Sequence, residues 1–255
     1  MITVNQSIAA ELVQRYTIPL PEVILNCPDV ATDRLPLPQA DLLRQELGIS
    51  DDFAILLYQG NIGWPRNLEN LVHAMALVEH RDIAFVLMGR GNGLKKELMR
   101  ITKSHDLLNR RIFFHEPVPV QHLLSYTASA DAGIIPYPNL GLNKYYCTPN
   151  KLFEFIVAGL PILANDLPEL NRFVAQQGIV MNLPMNSPED IAQAIDVFFS
   201  SDLAKFRAKA QQIAPHYTWQ IQSQKIMELY LRFVDEGRRR PSIQARLQAA
   251  GVDLK

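Results

Sequence analysis

The chain has 255 residues, of which 48% are hydrophobic and 20% charged, with a formal net charge of -1. This composition belongs to a folded globular chain with ample material for a core, and it argues against nucleic acid as a partner. Two cysteines, Cys27 and Cys147, make no disulfide framework, and six histidines show no metal-ligand spacing. No run is long and apolar enough to span a bilayer, and the first residues lack the marks of a secretory leader. The expectation is a reducing, cytoplasmic compartment, at most peripheral to an inner membrane, with no metal and no cofactor.

Residues 5–16 are expected to form a helix with Ile8, Leu12 and Val13 on one face. Residues 23–26 read as a short strand, the proline-rich stretch 27–38 as a linker, and 42–47 as a helix stopped by Gly48. From residue 53 the pattern becomes regular. Apolar strands at 53–58, 83–88, 111–115, 132–136, 161–164 and 178–181 alternate with helices at 67–79, 94–104, 120–130, 149–158, 168–176 and 187–200. Two more helices follow, over 202–213 and 218–236. The tail carries Arg238, Arg239 and Arg240, which read as a solvated charge run. Continuous apolar strands separated by helices predict an α/β fold. Its core is a Rossmann-like, six-stranded parallel sheet with helices on both faces and right-handed crossovers. Ligands of such sheets bind outside the carboxyl ends of the strands, so loops 59–66, 89–93, 116–119, 137–149 and 165–168 are the places to search.

The helix at 149–158 holds the strongest signal. Thr148 suits its N-cap, Pro149 its first turn, and Gly159 its end. Leu152, Phe153, Phe155, Ile156 and Val157 make it apolar on nearly every side, so it is buried. Its two charges then need partners. Lys151 sits where the helix dipole disfavours a cation, a conflict that a bound anion removes and that snorkelling to solvent also relieves. Glu154 sits in the apolar run, where either two neighbouring hydroxyls of a sugar ring or a backbone amide or arginine would satisfy it. The first loop adds Gly60, Gly63 and, at a helix start, Arg66. Two cations at two converging helix starts suit a diphosphate. The run Gly89-Arg90-Gly91-Asn92-Gly93 follows a strand and opens a helix, like a dinucleotide fingerprint. Its spacing is irregular, however, and its unit is not the first of the sheet. Glu116 could be the matching ribose acid, although it lies too far on. In the stiff loop Glu116-Pro117-Val118-Pro119, the Val118 backbone could read the edge of a base.

In this order the loops resemble the nucleotide-binding half of the group 1 (family four) glycosyltransferases of the GT-B architecture, over about residues 4–230. The family's first loop commonly reads G-R-L-x-x-x-K-G. Here it is Gly60-Asn61-Ile62-Gly63-Trp64-Pro65-Arg66-Asn67, with Arg66 at the lysine position and Asn61 at the arginine position. The second signature is E-x7-E. Glu154 fits its second glutamate, the ribose ligand, and runs on to Ala158-Gly159-Leu160-Pro161, whereas Tyr146 stands where the first would contact the donor sugar. The resemblance implies a nucleoside diphosphate sugar, UDP- or GDP-linked, transferred without a metal and with retention. Arg66 and Lys151 would hold the leaving diphosphate and Glu154 the ribose. Gly60, Asn61, Gly63, Gly89, Arg90, Asn150 and Leu152 would lie around the donor, with Val118 at the base and Tyr137, Asn143 and Tyr146 around the sugar.

The same resemblance implies three regions. Residues 1–38 would be the end of a missing acceptor-binding domain plus its linker, 39–236 the donor-binding domain, and 237–255 a basic tail. Acceptor-side chemistry would then come from that domain or from a partner chain. The alternatives are an NAD-dependent oxidoreductase built on Gly89, Gly91 and Gly93, a non-catalytic nucleotide-binding or assembly module, and a nucleotide-sugar epimerase.

Overall fold

The computed structural model describes residues 1–91 and 93–239, apart from the side chains of 174–176 and 235–239. The basic tail expected over 237–255 therefore falls on residues or side chains outside those described. The chain opens with β1 (Ile2–Thr3), α1 (Gln6–Tyr16) and β2 (Glu22–Val23), followed by α2 (Leu42–Leu47). The alternating region is β3 (Ala54–Gln59), α3 (Leu68–Leu77), β4 (Ile83–Met88), α4 (Gly93–Ser104), β5 (Ile112–His115), α5 (Val120–Thr127) and β6 (Ala132–Ile135). It continues with α6 (Leu142–Tyr145), α7 (Asn150–Val157), β7 (Ile162–Ala164), α8 (Pro168–Gln177), β8 (Val180–Asn182) and α9 (Pro188–Phe199). Helices α10 (Leu203–Ile213) and α11 (Trp219–Arg239) close it.

β3 to β8 form one six-stranded sheet in the order β5-β4-β3-β6-β7-β8, every neighbouring pair parallel. This is the expected fold class. Ile55, Leu56, Leu57 and Tyr58 of the central strand β3 are fully buried, which requires helices on both faces. The chain steps outward from β3 to β5, then returns to lay β6 on the other side of β3. That reversal leaves a crevice at the carboxyl ends of β3 and β6.

α7 lies against the sheet at this crevice because β6 offers it a glycine. A Cβ on Gly133 would come within 2.4 Å of the Phe155 ring. Phe153, Phe155, Ile156 and Val157 are all fully buried, as expected of a helix apolar on most sides. The N-terminal segment is fastened near the start of the same helix. Asn5 caps α1 by accepting from the Ile8 amide at 2.8 Å, and its Nδ2 donates to the Tyr146 carbonyl at 2.6 Å and to Thr148 Oγ1 at 3.2 Å. Ser7 donates its amide to the buried Glu169 carboxylate at 2.6 Å.

Some expected boundaries are corrected. Thr148 is not the N-cap of α7, because its hydroxyl is taken by Asn5. Pro149, extended at φ -70° and ψ 145°, is the cap residue, and the helix starts at Asn150 without a side-chain cap. The loop expected over 137–149 contains the single turn α6, opened by Gly141 at φ 71°. The strand expected from Gly178 starts at Val180, since Gly178 at φ 62° ends α8 in the left-handed region. α5 stops at Thr127 rather than 130, where Ser129 and Ala130 donate to the carbonyls three residues back. β2 ends at Val23, short of the expected 26.

Gly133→Ala is expected to push Phe155 off the sheet and to destabilise the chain by about 1–3 kcal/mol, the usual range for overpacking a filled core. Chemical denaturation of the two proteins checks this; equal stability would mean that α7 has room to move.

Candidate functional site

The crevice at the reversal point encloses about 380 Å³. Its floor is the end of β3. Gln59, 2% exposed, accepts from Thr127 Oγ1 at 2.8 Å and turns its Nε2 towards one Glu154 oxygen, to which it donates. Thr127 and Glu154 thus fix both ends of a buried carboxamide. The other Glu154 oxygen has no protein donor among the described residues, and Glu154 lines the crevice. Gly60 follows at φ 117°, a conformation that favours glycine. A Cβ there would lie 3.7 Å from Lys151 Nζ.

Three cations meet at one phenol ring. Arg66, in the loop after β3, donates to the Tyr137 hydroxyl, and its Cζ lies 4.8 Å from the ring centroid. Lys144 of α6 places Nζ 4.8 Å from the same centroid, and Lys151 of α7 places Nζ at 5.1 Å. Lys151 is 6% exposed and stands 3.5 Å from the centroid of the Tyr58 ring. Neither Lys151 Nζ nor Arg66 Nε has a hydrogen-bond partner among the described residues, although both atoms are buried. Cation–π contacts contribute about 0.5–2 kcal/mol each. They do not replace the lost hydrogen bonds, nor do they offset repulsion among three like charges. Among the described residues, Glu154 is the only acid lining the crevice.

The titration behaviour follows from this crowding. Burial, reinforced by Arg66 and only partly opposed by Glu154, holds Lys151 well below the ordinary lysine value. Burial and Arg66 lower Lys144 in the same direction. Burial raises the Glu154 carboxyl against the opposing pull of Gln59 and Lys151. The Tyr137 hydroxyl is pushed up to about 12 by burial, which outweighs the Arg66 charge. Cys147, which also lines the crevice, has its thiol raised by burial despite the cations around it. Arg66, Lys144 and Lys151 thus share the crevice with a single carboxylate among the described residues, Glu154. The crevice sits at the N-terminus of α7, where the uncapped helix end adds positive potential.

Of the residues singled out in the sequence, Gly60, Asn61, Arg66, Tyr137, Asn150, Lys151 and Glu154 line this one crevice. Asn150 Oδ1 accepts from Asn26 at its rim, 2.9 Å away. The others lie elsewhere. Leu152 is buried in the core. Gly63 packs against the Asn61 side chain. Val118 packs on the core between β5 and α5. Arg90 and Asn143 are exposed. Tyr146 rests its ring beside Tyr145, centroids 5.0 Å apart, and gives its carbonyl to Asn5. Gly89 supports the first loop: a Cβ on it would fall 1.8 Å from the Gly60 carbonyl oxygen. Ile62 and Gly91 bridge the same two loops, and Glu116 pairs with Lys95 at 2.5 Å. Gly89 and Gly91 of the run read as a dinucleotide fingerprint thus pack against the first loop, Gly93 opens α4 with nothing against it, and the candidate ribose acid is engaged elsewhere.

Sequence reasoning missed Gln59, Lys144 and Cys147. Gln59 carried a signal, as the polar last residue of an apolar strand that ends at the crevice. Lys144 carried a weaker one, as a further cation in the loop leading to Lys151. No cluster of three or more potential metal ligands occurs among the described residues. No helix among them is long and apolar enough to cross a membrane.

The family model described as glycosyl transferases group 1 matches residues 54–201, more than half of the chain and the whole of the sheet. The chain belongs to the group 1 glycosyltransferases. Among the relatives of this glycosyltransferase chain is the probable glycosyltransferase WbjE of Pseudomonas aeruginosa. It is 23% identical over 210 residues, covering 80% of this chain and 50% of WbjE. The chain thus spans about half the length of that relative. Sucrose-phosphate synthase from Thermosynechococcus elongatus superposes with a TM-score of 0.71 at 16% identity, over 92% of this chain and 58% of that one. HepE of Anabaena, solved in complex with UDP and glucose, does so with a TM-score of 0.70 at 18% identity, over 91% and 62%. At these identities the likeness shows the shared GT-B-type fold.

The Lys151 geometry fixes a sign. Its proton is bound more weakly in the folded chain than in the unfolded one, where lysine titrates near about 10.4. Between the depressed folded value and that unfolded value the unfolded chain holds the extra proton, so stability rises with pH across this window. Lys151→Met is expected to raise the unfolding midpoint of the unliganded protein at neutral pH, with the gain shrinking as pH rises. Thermal unfolding of both proteins across pH checks this. A destabilised methionine variant would mean that Lys151 has a structural counter-ion.

Proposed function

We propose that the crevice binds the diphosphate of a nucleotide-sugar donor, and that the chain serves as the donor-binding part of a glycosyltransferase acting without a metal and with retention. The observation that carries this is the buried, unpartnered Nζ of Lys151, gathered with Arg66 and Lys144 at an uncapped helix N-terminus. A diphosphate would supply the missing acceptors and relieve the repulsion. The same groups would stabilise charge developing on the leaving diphosphate as the glycosidic bond breaks, from positions fixed before reaction. The unengaged Glu154 oxygen would accept from a ribose hydroxyl. HepE, whose fold this chain shares, was solved with UDP and glucose, which fits the reading. The acceptor side falls to an acceptor-binding domain or a partner chain.

Calorimetry with UDP, GDP and NAD tests the reading. Binding of UDP or GDP, with no heat from NAD, is the expected result. Arg66→Ala and Lys151→Ala should each weaken the diphosphate by about 1–3 kcal/mol, as for loss of a charge-assisted hydrogen bond. Unchanged affinity in both variants would move the site elsewhere.

Glu154→Gln separates the two readings of that carboxylate. Its amide oxygen can still accept from Gln59, and the buried charge is gone, so stability should hold or rise while nucleotide affinity falls. Thermal unfolding and calorimetry on the same preparation check this. A large loss of stability with unaltered affinity would make Glu154 structural.

A further inference from the structure

Lys151 Nζ is a nucleophile as well as a charge. It is a buried amine with no hydrogen-bond acceptor among the described residues. It stands 3.5 Å from the centroid of the Tyr58 ring, and Gly60 presents no side chain on the side where a Cβ would lie 3.7 Å from it. Arg66 and Lys144 are gathered with it around the Tyr137 ring, and Arg66 Nε is also buried without a partner among the described residues. A nitrogen nucleophile and donors for a small carboxylate thus occur together.

A desolvated amine next to other cations is the setting that activates a lysine. Burial, reinforced by Arg66, holds Lys151 well below the ordinary lysine value, so the free base persists to lower pH than on an exposed lysine. Lys144 is only half-buried, so water still reaches its charge. Burial raises the Cys147 thiol, which withholds its nucleophilic thiolate. Carbon dioxide is small and uncharged, so it can enter a buried site that a hydrated reagent enters only at a cost. Its addition would turn one of three crowded cations into an anion and replace repulsion by attraction.

We infer that, when no diphosphate is bound, Lys151 Nζ adds carbon dioxide to form a carbamate whose oxygens accept from Arg66 and Lys144. The inference rests on the diphosphate reading of this crevice, because carbamate and diphosphate would use the same donors and so exclude one another. The Nζ lone pair attacks the carbon, an N–C bond forms, and the electrons of one C–O π bond move onto oxygen. One N–H proton passes to water. Amine plus carbon dioxide gives a carbamate anion and a proton, with no change of oxidation state. Dissolved carbon dioxide would then compete with the donor for the site.

The test uses the full chain, equilibrated with isotope-labelled bicarbonate or kept free of carbon dioxide. Triethyloxonium ion then ethylates any carbamate, and proteolysis with mass spectrometry locates the adduct. The expected result is a labelled ethoxycarbonyl group on Lys151, absent without bicarbonate and suppressed by saturating UDP or GDP. At limiting bicarbonate, Arg66→Ala should lower the labelled fraction about tenfold, through loss of a charge-assisted hydrogen bond. Glu154→Gln should raise it, since a neighbouring negative charge is gone.

If UDP or GDP binds by calorimetry and Lys151 stays unlabelled at every bicarbonate concentration, this inference falls and the diphosphate reading stands. Label on Lys151 that matches exposed lysines, or that ignores both substitutions, marks an adventitious adduct and overturns it. Bicarbonate that weakens the nucleotide without labelling Lys151 acts as a competing anion, and a label that survives saturating diphosphate places the two in separate sites; either result overturns it. If neither diphosphate binds but Lys151 is labelled and responds to both substitutions, the carbamate stands and the diphosphate reading falls.

Discussion

A lysine buried without a counter-ion is the constraint around which this molecule is built. Lys151 gives up water at the start of α7 and receives only the faces of two phenol rings in return. Unrelieved, that arrangement lowers stability, and its neighbours Arg66 and Lys144 make it worse. The proposed diphosphate would complete it. The group 1 glycosyltransferase family to which the chain belongs supplies the chemical context for what that is.

The scaffold meets this requirement by close approach. Gly133 lets Phe155 sit on β6, which sets the depth of α7 and so of Lys151. Gly89 lets the loop after β3 lie on the loop after β4, and Gly60, at φ 117°, lies beside the end of the Lys151 side chain. Gln59 then holds Glu154 at the far side of the crevice from a strand end that cannot shift without moving the sheet. Lys151 is thus placed by apolar packing of its helix, and Glu154 by a polar contact to the end of a buried strand.

Much of this was legible because it rested on local chemistry. The unbroken apolar runs at 53–58 and 83–88 read as buried parallel strands. A lysine and a glutamate in an otherwise apolar helix flagged themselves. What was not legible depended on long-range contacts. Thr148 has the chemistry of a cap, but its hydroxyl oxygen accepts from Asn5, 143 positions away in sequence, and the cap residue is Pro149. Asn143 and Tyr146 belong to the right loop, but the turn of α6 exposes the first and turns the second towards Tyr145, while bringing Lys144 inward. The glycines at 89 and 91 have the right residue type for cradling phosphate, and only the position of the neighbouring loop shows that their space is already filled.

The two hydrogen bonds from Asn5 have a mechanical meaning. They join the first turn of α1 to the peptide that links α6, which carries Lys144, with α7, which carries Lys151. The same asparagine accepts from the Ile8 amide, so its side chain cannot swing without uncapping a helix. A tug on the first five residues is therefore transmitted as a tug on the spacing between two lysines. Through that one side chain the rim of the crevice is tied to the start of α1.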